Sequence, residues 1–282
     1  NGAVLIREGI IQEVGNSQDM LQHYPGEEML AAHQQVVMPG FVDPHTHLVW
    51  AGDRAAEFSL HLEGKSYLEI MKEGGGIIST VMSTRQASDA ELAQSAAERA
   101  LFMLQQGTTT LEAKTGYALD VAGELRLLRI ILDLRKSTPQ DILPTYLGAH
   151  AVPPEFVGDA EGYTRLLVEQ ALPQLKEWWQ ERYPQERYPF VDVFCEPSVF
   201  NIKNTRAILS TACQLGFPLK IHVDEFENIG GVPLAVELGA TSADHLVKTN
   251  KEDIAKLAQS NTVAVALPCT PFGLAEQNYT PA

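Results

Sequence analysis

The sequence predicts an α/β fold, a (β/α)8 TIM-like barrel, preceded by a small β segment. From Val36 onward, short apolar runs alternate with longer segments of helical periodicity, which is typical of a parallel sheet covered by helices. Polar residues follow nearly every apolar run, and the carboxyl ends of barrel strands meet in one ring around one pocket. An open doubly wound sheet is the alternative. No glycine-rich phosphate loop follows the first run, which weighs against that alternative.

The strands are predicted from runs rich in β-branched and apolar residues. In AVLIREGIIQEVG, two such runs flank a turn at Glu8 and Gly9, so the amino-terminal segment is predicted to be β structure. Closure of a barrel takes eight strands, so we expect the last one to lie beyond the 282 residues. The seven barrel candidates are VVMPGFVDPHTH, TTTLEAKTGY, DILPTYLGAH, FVDVFCE, PLKIHVDEF, ATSADHL and TVAVALPCTP.

The helices are predicted from apolar residues at helical spacing between these runs. DAELAQSAAERALFMLQQG and AGELRLLRIILDLRKS have this periodicity, and in the second the leucines and isoleucines form one stripe with polar residues opposite. NTRAILSTACQLG ends at Gly216, a residue suited to the position just beyond a helix. These segments supply the outer layer that a parallel sheet requires.

The composition limits the classes of partner. The 21 Lys and Arg residues against 36 Asp and Glu residues give a net charge of −15, so neither nucleic acid nor a membrane surface is an expected partner. No apolar run approaches the roughly 20 residues needed to cross a bilayer. The amino terminus has no signal-peptide pattern and no starting Met, so we expect further sequence upstream. Three scattered cysteines, each beside apolar residues, predict buried thiols and a cytoplasmic protein.

The strongest chemical signal is a set of histidines at predicted strand ends. Five of the eight histidines lie there, two of them in GFVDPHTHLVWAGDR. Residues i and i+2 of a strand face the same side, so His45 and His47 can bind one ion, and His222 can supply a third imidazole. Three nitrogen donors with an open position are typical of a catalytic metal site. Exposed or hydrogen-bonded histidines without a metal are the alternative.

Several stretches together resemble a known family. PGFVDPHTHL resembles the first barrel strand of the amidohydrolase superfamily. AGDRAAEF, GGGIISTV, TGYALD, LGAHAVPPEF, IHVDEF and GATSADHL resemble, within it, the imidazolonepropionase family, hydrolases of histidine breakdown. The resemblance covers essentially the whole chain. It implies that residues 1–36 are part of a small β-sandwich domain and that residues 37–282 form a metal-dependent hydrolase barrel of the amidohydrolase type, without its last strand.

The resemblance also implies a cofactor, a reaction and a set of site residues. One divalent metal ion, zinc or iron, is expected on His45, His47 and His222. A fourth ligand, an aspartate on the eighth strand, has no counterpart among the 282 residues. The implied reaction is metal-dependent hydrolysis of the cyclic amide of 4-imidazolone-5-propanoate to N-formimino-L-glutamate. Glu225 and His245 are the expected catalytic residues. A cap or ion-pair carboxylate and a structural buried imidazole are their alternatives.

The anionic substrate is expected to bind Arg54, Tyr117 and His150, and similar enzymes imply a homodimer. For Arg54, a surface ion pair with Asp53 or Glu57 is the alternative. Two alternatives compete with this function. The chain could be another cyclic amidohydrolase or deaminase of the same superfamily, or a catalytically incomplete metal-binding fragment.

Two further features bear on the kind of site. Lys114 is predicted to make a structural hydrogen bond or a salt bridge with Glu112 rather than to bridge two metal ions, because it lies on the second barrel strand. KEGGGIIST, residues 72–80, is predicted to be a flexible active-site loop rather than a phosphate loop.

Overall fold

The computed structural model describes residues 1–65, 70, 75–274 and 278–281, without the side chains of residues 61 and 62. The chain divides into two compact units, Asn1–Gly40 and Phe41–Ala282. The first part of the predicted glycine loop, residues 72–74, lies outside the described residues.

The first unit contains a β-hairpin and one short helix. Strands β1 (Gly2–Arg7) and β2 (Ile10–Asn16) pair antiparallel, as the β-branched runs predict. The turn between them lies at the predicted position, where Glu8 and Gly9 have φ of 52° and 74°. Helix α1 (Ser17–His23) is capped by Asn16, whose side chain accepts the N–H of Gln18. Membership of this unit in a β-sandwich stays a prediction.

The second unit is built on a parallel sheet of seven strands in chain order, which confirms the predicted barrel strands. Each neighbouring pair is parallel, and each described strand lies within one of the seven predicted runs. The strands are β3 (Phe41–Asp43), β4 (Thr108–Lys114), β5 (Asp141–Ala149), β6 (Phe190–Cys195), β7 (Lys220–Val223), β8 (Ser242–His245) and β9 (Val263–Ala266).

Helices connect the strands, as the periodicity predicts. Ser88 and Glu91 form a capping box at the start of the helix Asp89–Gln105, and Gly216, with φ of 94°, follows the end of the helix Ile202–Leu215. The described helices are α2 (Ala55–Leu62), α3 (Ile77–Gln86), α4 (Asp89–Gln105), α5 (Val121–Ser137), α6 (Ala160–Leu166), α7 (Leu172–Arg182), α8 (Ile202–Leu215), α9 (Gly231–Leu238), α10 (Lys251–Ala258) and α11 (Cys269–Gly273). A 3-10 turn precedes α6 and a single π-type turn joins α6 to α7.

The apolar core lies between the sheet and these helices. Leu127, Leu128 and Ile131 of α5 are fully buried, which confirms the predicted stripe. Of the three free cysteines, Cys195 is buried but Cys213 and Cys269 are exposed. The expectation of three buried thiols was therefore wrong for two, because apolar sequence neighbours do not determine the direction of a side chain on a helix. Within the described part of the chain, no helix is both long and apolar enough to cross a membrane.

At the carboxyl ends of β7 and β8, the backbone forms tight turns that direct side chains toward the histidines. Asp224, His245 and Leu246 have positive φ of 55°, 81° and 60°, a region that residues other than glycine seldom adopt. Asp244 and His245 are consecutive, yet both contact His45: Asp244 through a hydrogen bond and His245 through its ring. The left-handed backbone at His245 explains how two successive residues can face the same pocket.

Candidate active site

Five histidines from four strand ends converge on one pocket, and they are the five that the sequence singles out. The ring centroids of His45 and His222 lie 4.5 Å apart, and those of His222 and His245 lie 5.0 Å apart. The rings of His47 and His150 stack at 4.7 Å with an interplanar angle of 14°. Parallel strands whose carboxyl ends share one edge therefore bring together residues separated by up to 200 positions.

The histidines form two overlapping groups that share His222. One nitrogen from each of His45, His222 and His245 lies within 4.8 Å of the others, and the same holds for His47, His150 and His222. Among the described residues, the predicted ligands are thus divided between the two groups. The assignment of His45, His47 and His222 as the ligand set stays a prediction.

Two buried carboxylates contact the histidines from the interior. Asp244 Oδ2 lies 2.6 Å from His45 Nδ1, and Asp192 Oδ2 lies 3.0 Å from His222 Nδ1. A carboxylate only accepts hydrogen bonds, so the hydrogen-bonded His45 carries its proton on Nδ1, and its Nε2 lone pair is left for a ligand. This carboxylate–imidazole arrangement is the usual support of metal-binding histidines.

Asp192 was missed by the sequence analysis, although a signal was present. It is a charged residue in the middle of the apolar run FVDVFCE. Burying a carboxylate costs free energy unless oppositely charged groups or hydrogen-bond donors pair with it. Its partner on the sheet is Lys114 of β4, whose Nζ lies 2.6 Å from Asp192 Oδ2.

Lys114 is the centre of a buried charge network beneath the histidines. Its Nζ also lies 2.9 Å from Glu112 Oε1, which confirms the predicted salt bridge, and 3.7 Å from Asp244 Oδ2. Lys220 Nζ contacts Glu112 Oε2 at 3.1 Å and Asp244 Oδ2 at 3.6 Å. Two ammonium groups thus face three carboxylates, which leaves one negative charge beside the imidazoles. This excess favours a bound cation.

The residues present fit a metal ion. Burial lowers the pKa of His45, His47 and His245 well below the usual value, so their imidazoles are neutral, the form that binds metals. In the described part of the chain, His47 Nδ1 and His222 Nε2 are buried without a hydrogen-bond partner. Buried polar atoms normally have partners. Neutral nitrogen donors supported by carboxylates suit zinc and iron.

Glu225 lies at the edge of this cluster, three residues after His222. Its Oε2 is 3.5 Å from His245 Nδ1. Burial, with the nearby charge of Glu196, raises the pKa of Glu225 to about 8. The carboxyl is therefore largely protonated at neutral pH and can donate a proton in the pocket. Neither ring nitrogen of His245 has a hydrogen-bond partner among the described residues.

The predicted substrate-binding residues are only partly brought together. The Tyr117 ring lies 5.2 Å from the His150 ring and 5.6 Å from the His47 ring, and His150 Nδ1 is 3.0 Å from the carbonyl oxygen of Gly116. Arg54 is exposed in the loop before α2, and its side chain makes no hydrogen bond or ion pair to the described residues. The alternative ion pair with Asp53 or Glu57 is absent from the described contacts of Arg54, and Glu57 Oε1 accepts the N–H of Gly76.

Known proteins resemble the chain in sequence over almost all of its length. An imidazolonepropionase of Herpetosiphon aurantiacus is 48% identical over 99% of this chain, and one of Clostridium tetani is 44% identical over 98%. The chain spans 65% of each of these relatives. No protein-family model matches the chain.

Solved structures share the fold at low sequence identity. A guanine deaminase of C. acetobutylicum with bound guanine has a TM-score of 0.65 at 12% identity, covering 97% of this chain and 64% of that one. A mutant of the atrazine chlorohydrolase TrzN of Arthrobacter aurescens, complexed with zinc and atraton, has a TM-score of 0.62 at 12% identity, covering 96% and 62%. At this identity the likeness concerns the fold alone.

The sequence relatives carry more weight than the solved structures, because the matched region spans both units of the chain. Over nearly all of its 282 residues, the chain is similar in sequence to curated proteins named imidazolonepropionase.

Proposed function

We propose that the full-length protein hydrolyses the cyclic amide of 4-imidazolone-5-propanoate to N-formimino-L-glutamate, a step of histidine degradation. The observation that carries the proposal is the convergence of five strand-end histidines with two supporting carboxylates in a chain 48% identical to an imidazolonepropionase. Hydrolysis of a C–N bond in a cyclic amide requires an activated water and a proton for the departing nitrogen. The pocket offers groups suited to both tasks.

One divalent metal ion, zinc or iron, is the proposed cofactor, and His45, His47 and His222 are its proposed ligands. When bound, such an ion activates water as a nucleophile at neutral pH. Asp244 supports this set by fixing the tautomer of His45, and Asp192 lies against Nδ1 of His222.

Glu225 and His245 are the proposed catalytic residues. Glu225, whose pKa is raised to about 8, holds a proton at neutral pH that it can give to the ring nitrogen as the C–N bond opens. His245 is neutral and has no described partner on either ring nitrogen, so it can accept from the attacking water or donate to the developing oxyanion.

The propionate group of the substrate is proposed to bind Arg54, Tyr117 and His150. Tyr117 and His150 line one wall of the pocket beside His47. A guanidinium matches a carboxylate with two parallel hydrogen bonds. Arg54 has no competing partner among the residues that the structure describes, which supports its availability to a ligand.

A second candidate function is another cyclic amidohydrolase or a deaminase. The structural likeness to guanine deaminase and to 5-methylcytosine deaminase supports it at the level of fold. A catalytically incomplete metal-binding fragment is the remaining candidate. In every case we propose a cytoplasmic homodimer that acts on a small molecule, with neither nucleic acid nor membrane as a partner.

The test is a substrate comparison on the full-length protein loaded with zinc or with iron. We expect loss of imidazolone propionate and appearance of formiminoglutamate by mass spectrometry, with no turnover of hydantoins or aminated purines. Turnover of a hydantoin or a purine instead would favour the second candidate. Stoichiometric metal without turnover of any of the three classes would favour the metal-binding fragment.

A further inference from the structure

Two buried glutamates outside the proposed catalytic set make the same pattern of hydrogen bonds to loops at two different strand ends. Glu124 lies in the first turn of α5 and Glu196 follows β6, and both side chains are fully buried. Each carboxylate accepts three backbone N–H groups from one loop. These loops carry proposed site residues, so the two carboxylates connect the fold to the pocket.

Glu124 holds the loop that follows β4. Its Oε2 accepts the N–H of Gly116 at 2.8 Å, and its Oε1 accepts the N–H groups of Ala118 and Leu119, each at 2.8 Å. Tyr117 lies between these three residues. The carbonyl oxygen of Gly116 lies 3.0 Å from His150 Nδ1, so the same loop also orients the second residue of the substrate-binding wall.

The backbone of this loop has unfavourable conformations that the hydrogen bonds to Glu124 help to stabilise. Gly116 has φ of 109° and Leu119 has φ of 56°. A Cβ atom at Gly116 would lie 2.9 Å from His150 Nδ1 and 3.0 Å from the carbonyl oxygen of Leu147. The left-handed conformation and the close approach both require glycine at this position. The three hydrogen bonds to Glu124 offset the strain at Leu119.

Glu196 holds the loop that follows β7. Its Oε1 accepts the N–H groups of Glu225 at 2.9 Å and Phe226 at 3.1 Å, and its Oε2 accepts the N–H of Glu227 at 3.2 Å. Successive N–H groups that converge in this way form an anion-binding concavity, here filled by a carboxylate of the protein itself. The preceding Asp224 has φ of 55° and accepts a hydrogen bond from Thr249 at 2.8 Å.

We infer that Glu124 and Glu196 are positioning residues with separate tasks: Glu124 places the wall that binds the anionic end of the substrate, and Glu196 places the proton-donating carboxyl of Glu225. The inference rests on the proposed function, because the two loops acquire these tasks only through the roles of Tyr117, His150 and Glu225. Neither glutamate touches the reacting atoms.

The test uses Glu124→Gln and Glu196→Gln in the full-length metal-loaded protein. Glutamine keeps the shape but offers one acceptor oxygen, and its amide NH₂ then faces a backbone donor. Glu124→Gln should raise KM by about tenfold with kcat changed less than about threefold, since tenfold corresponds to about 1.4 kcal/mol, close to the lower end of what one hydrogen bond to a charged group contributes. Glu196→Gln should lower kcat by about tenfold with KM changed less than about threefold.

The two variants are expected to change different parameters, KM for Glu124→Gln and kcat for Glu196→Gln. A general loss of stability would instead change the same parameters in both variants. Glu177→Gln, at an exposed position on α7, is the matched control and should change neither parameter. The inference is overturned if both variants change the same parameter, or if either retains wild-type kinetics.

Hydrogen exchange provides a measurement that depends on neither activity nor variants. In the wild-type protein, the amides of Gly116, Ala118 and Leu119 and those of residues 225–227 should exchange slowly, although they lie outside the described strands and helices. Each variant that folds should lose protection only in its own loop. Rapid exchange of both loops in the wild type would refute the anchoring. If the wild type does not open the imidazolone ring, the proposed function fails, and the exchange pattern alone decides whether the carboxylates hold the loops.

Discussion

Replacing Lys114 by methionine should strongly destabilise the fold. Lys114 Nζ lies 2.9 Å from Glu112, 2.6 Å from Asp192 and 3.7 Å from Asp244, and its side chain is fully buried. Burial alone would lower the pKa of Lys114, but the carboxylates of Asp192, Glu112 and Asp244 raise it above the usual value. Methionine fills the same space without the charge, so it leaves three buried carboxylates with Lys220 as their remaining ammonium partner in the described network.

The magnitude follows from these distances. At an effective dielectric constant of about 20, unit charges this far apart attract by about 4 to 6 kcal/mol per pair. Most of that attraction offsets the cost of taking the ammonium out of water. Removal of one partner from a buried ion pair therefore costs about 3 to 5 kcal/mol, because the carboxylates remain buried without compensation. Against a total stability of about 5 to 15 kcal/mol for a folded domain, this loss is large.

The assay is urea unfolding of the full-length protein at neutral pH, followed by circular dichroism. The control is Lys136→Met, since Lys136 pairs with Asp133 at 3.0 Å on the surface, where both side chains are more than half exposed. Solvent screens an exposed pair almost completely, so the control should barely move the midpoint. Asp192→Asn added to Lys114→Met should recover part of the loss. A Lys114→Met variant as stable as the Lys136→Met control would refute the reasoning.

Three other changes test the site. His47→Ala should lose most of the bound metal by elemental analysis, whereas the exposed His23→Ala should retain it; full metal content in His47→Ala would remove this residue from the ligand set. Arg54→Ala should raise KM for imidazolone propionate by about tenfold or more, since a charged hydrogen bond is worth about 1.5 to 3 kcal/mol, and an unchanged KM would exclude Arg54 from the carboxylate site. Burial raises the pKa of Glu196 to about 7 from its usual 4.5, so the folded state holds a proton that the unfolded chain releases. The stability linked to this proton is complete below about pH 4.5 and is lost as the pH rises through about 7. Glu196→Gln should flatten the fall in urea midpoint between these values, and an identical slope in both proteins would contradict the shift.

Sequence patterns were enough to locate the strands and three of the described helices of this fold. Each described barrel strand falls inside a predicted run, and the helix over Val121–Ser137 buries its predicted leucine and isoleucine stripe. These features are local: a strand or helix is encoded by the spacing of apolar residues within one segment, and its end by a residue such as Gly216. The strand-end histidines could be found for the same reason, because the end of a run is visible in the sequence.

The supporting groups were decided by packing across the sheet. Asp192 is the one charged residue within an otherwise apolar strand, and its partners Lys114 and His222 come from two other strands. Glu124 and Glu196 look like an ordinary helix residue and an ordinary strand-end residue until their contacts with distant backbone N–H groups are known. Local patterns determine which segments fold into strands and helices. The pairing of buried charges depends on distances between segments, and those exist only once the parallel strands bring their ends together.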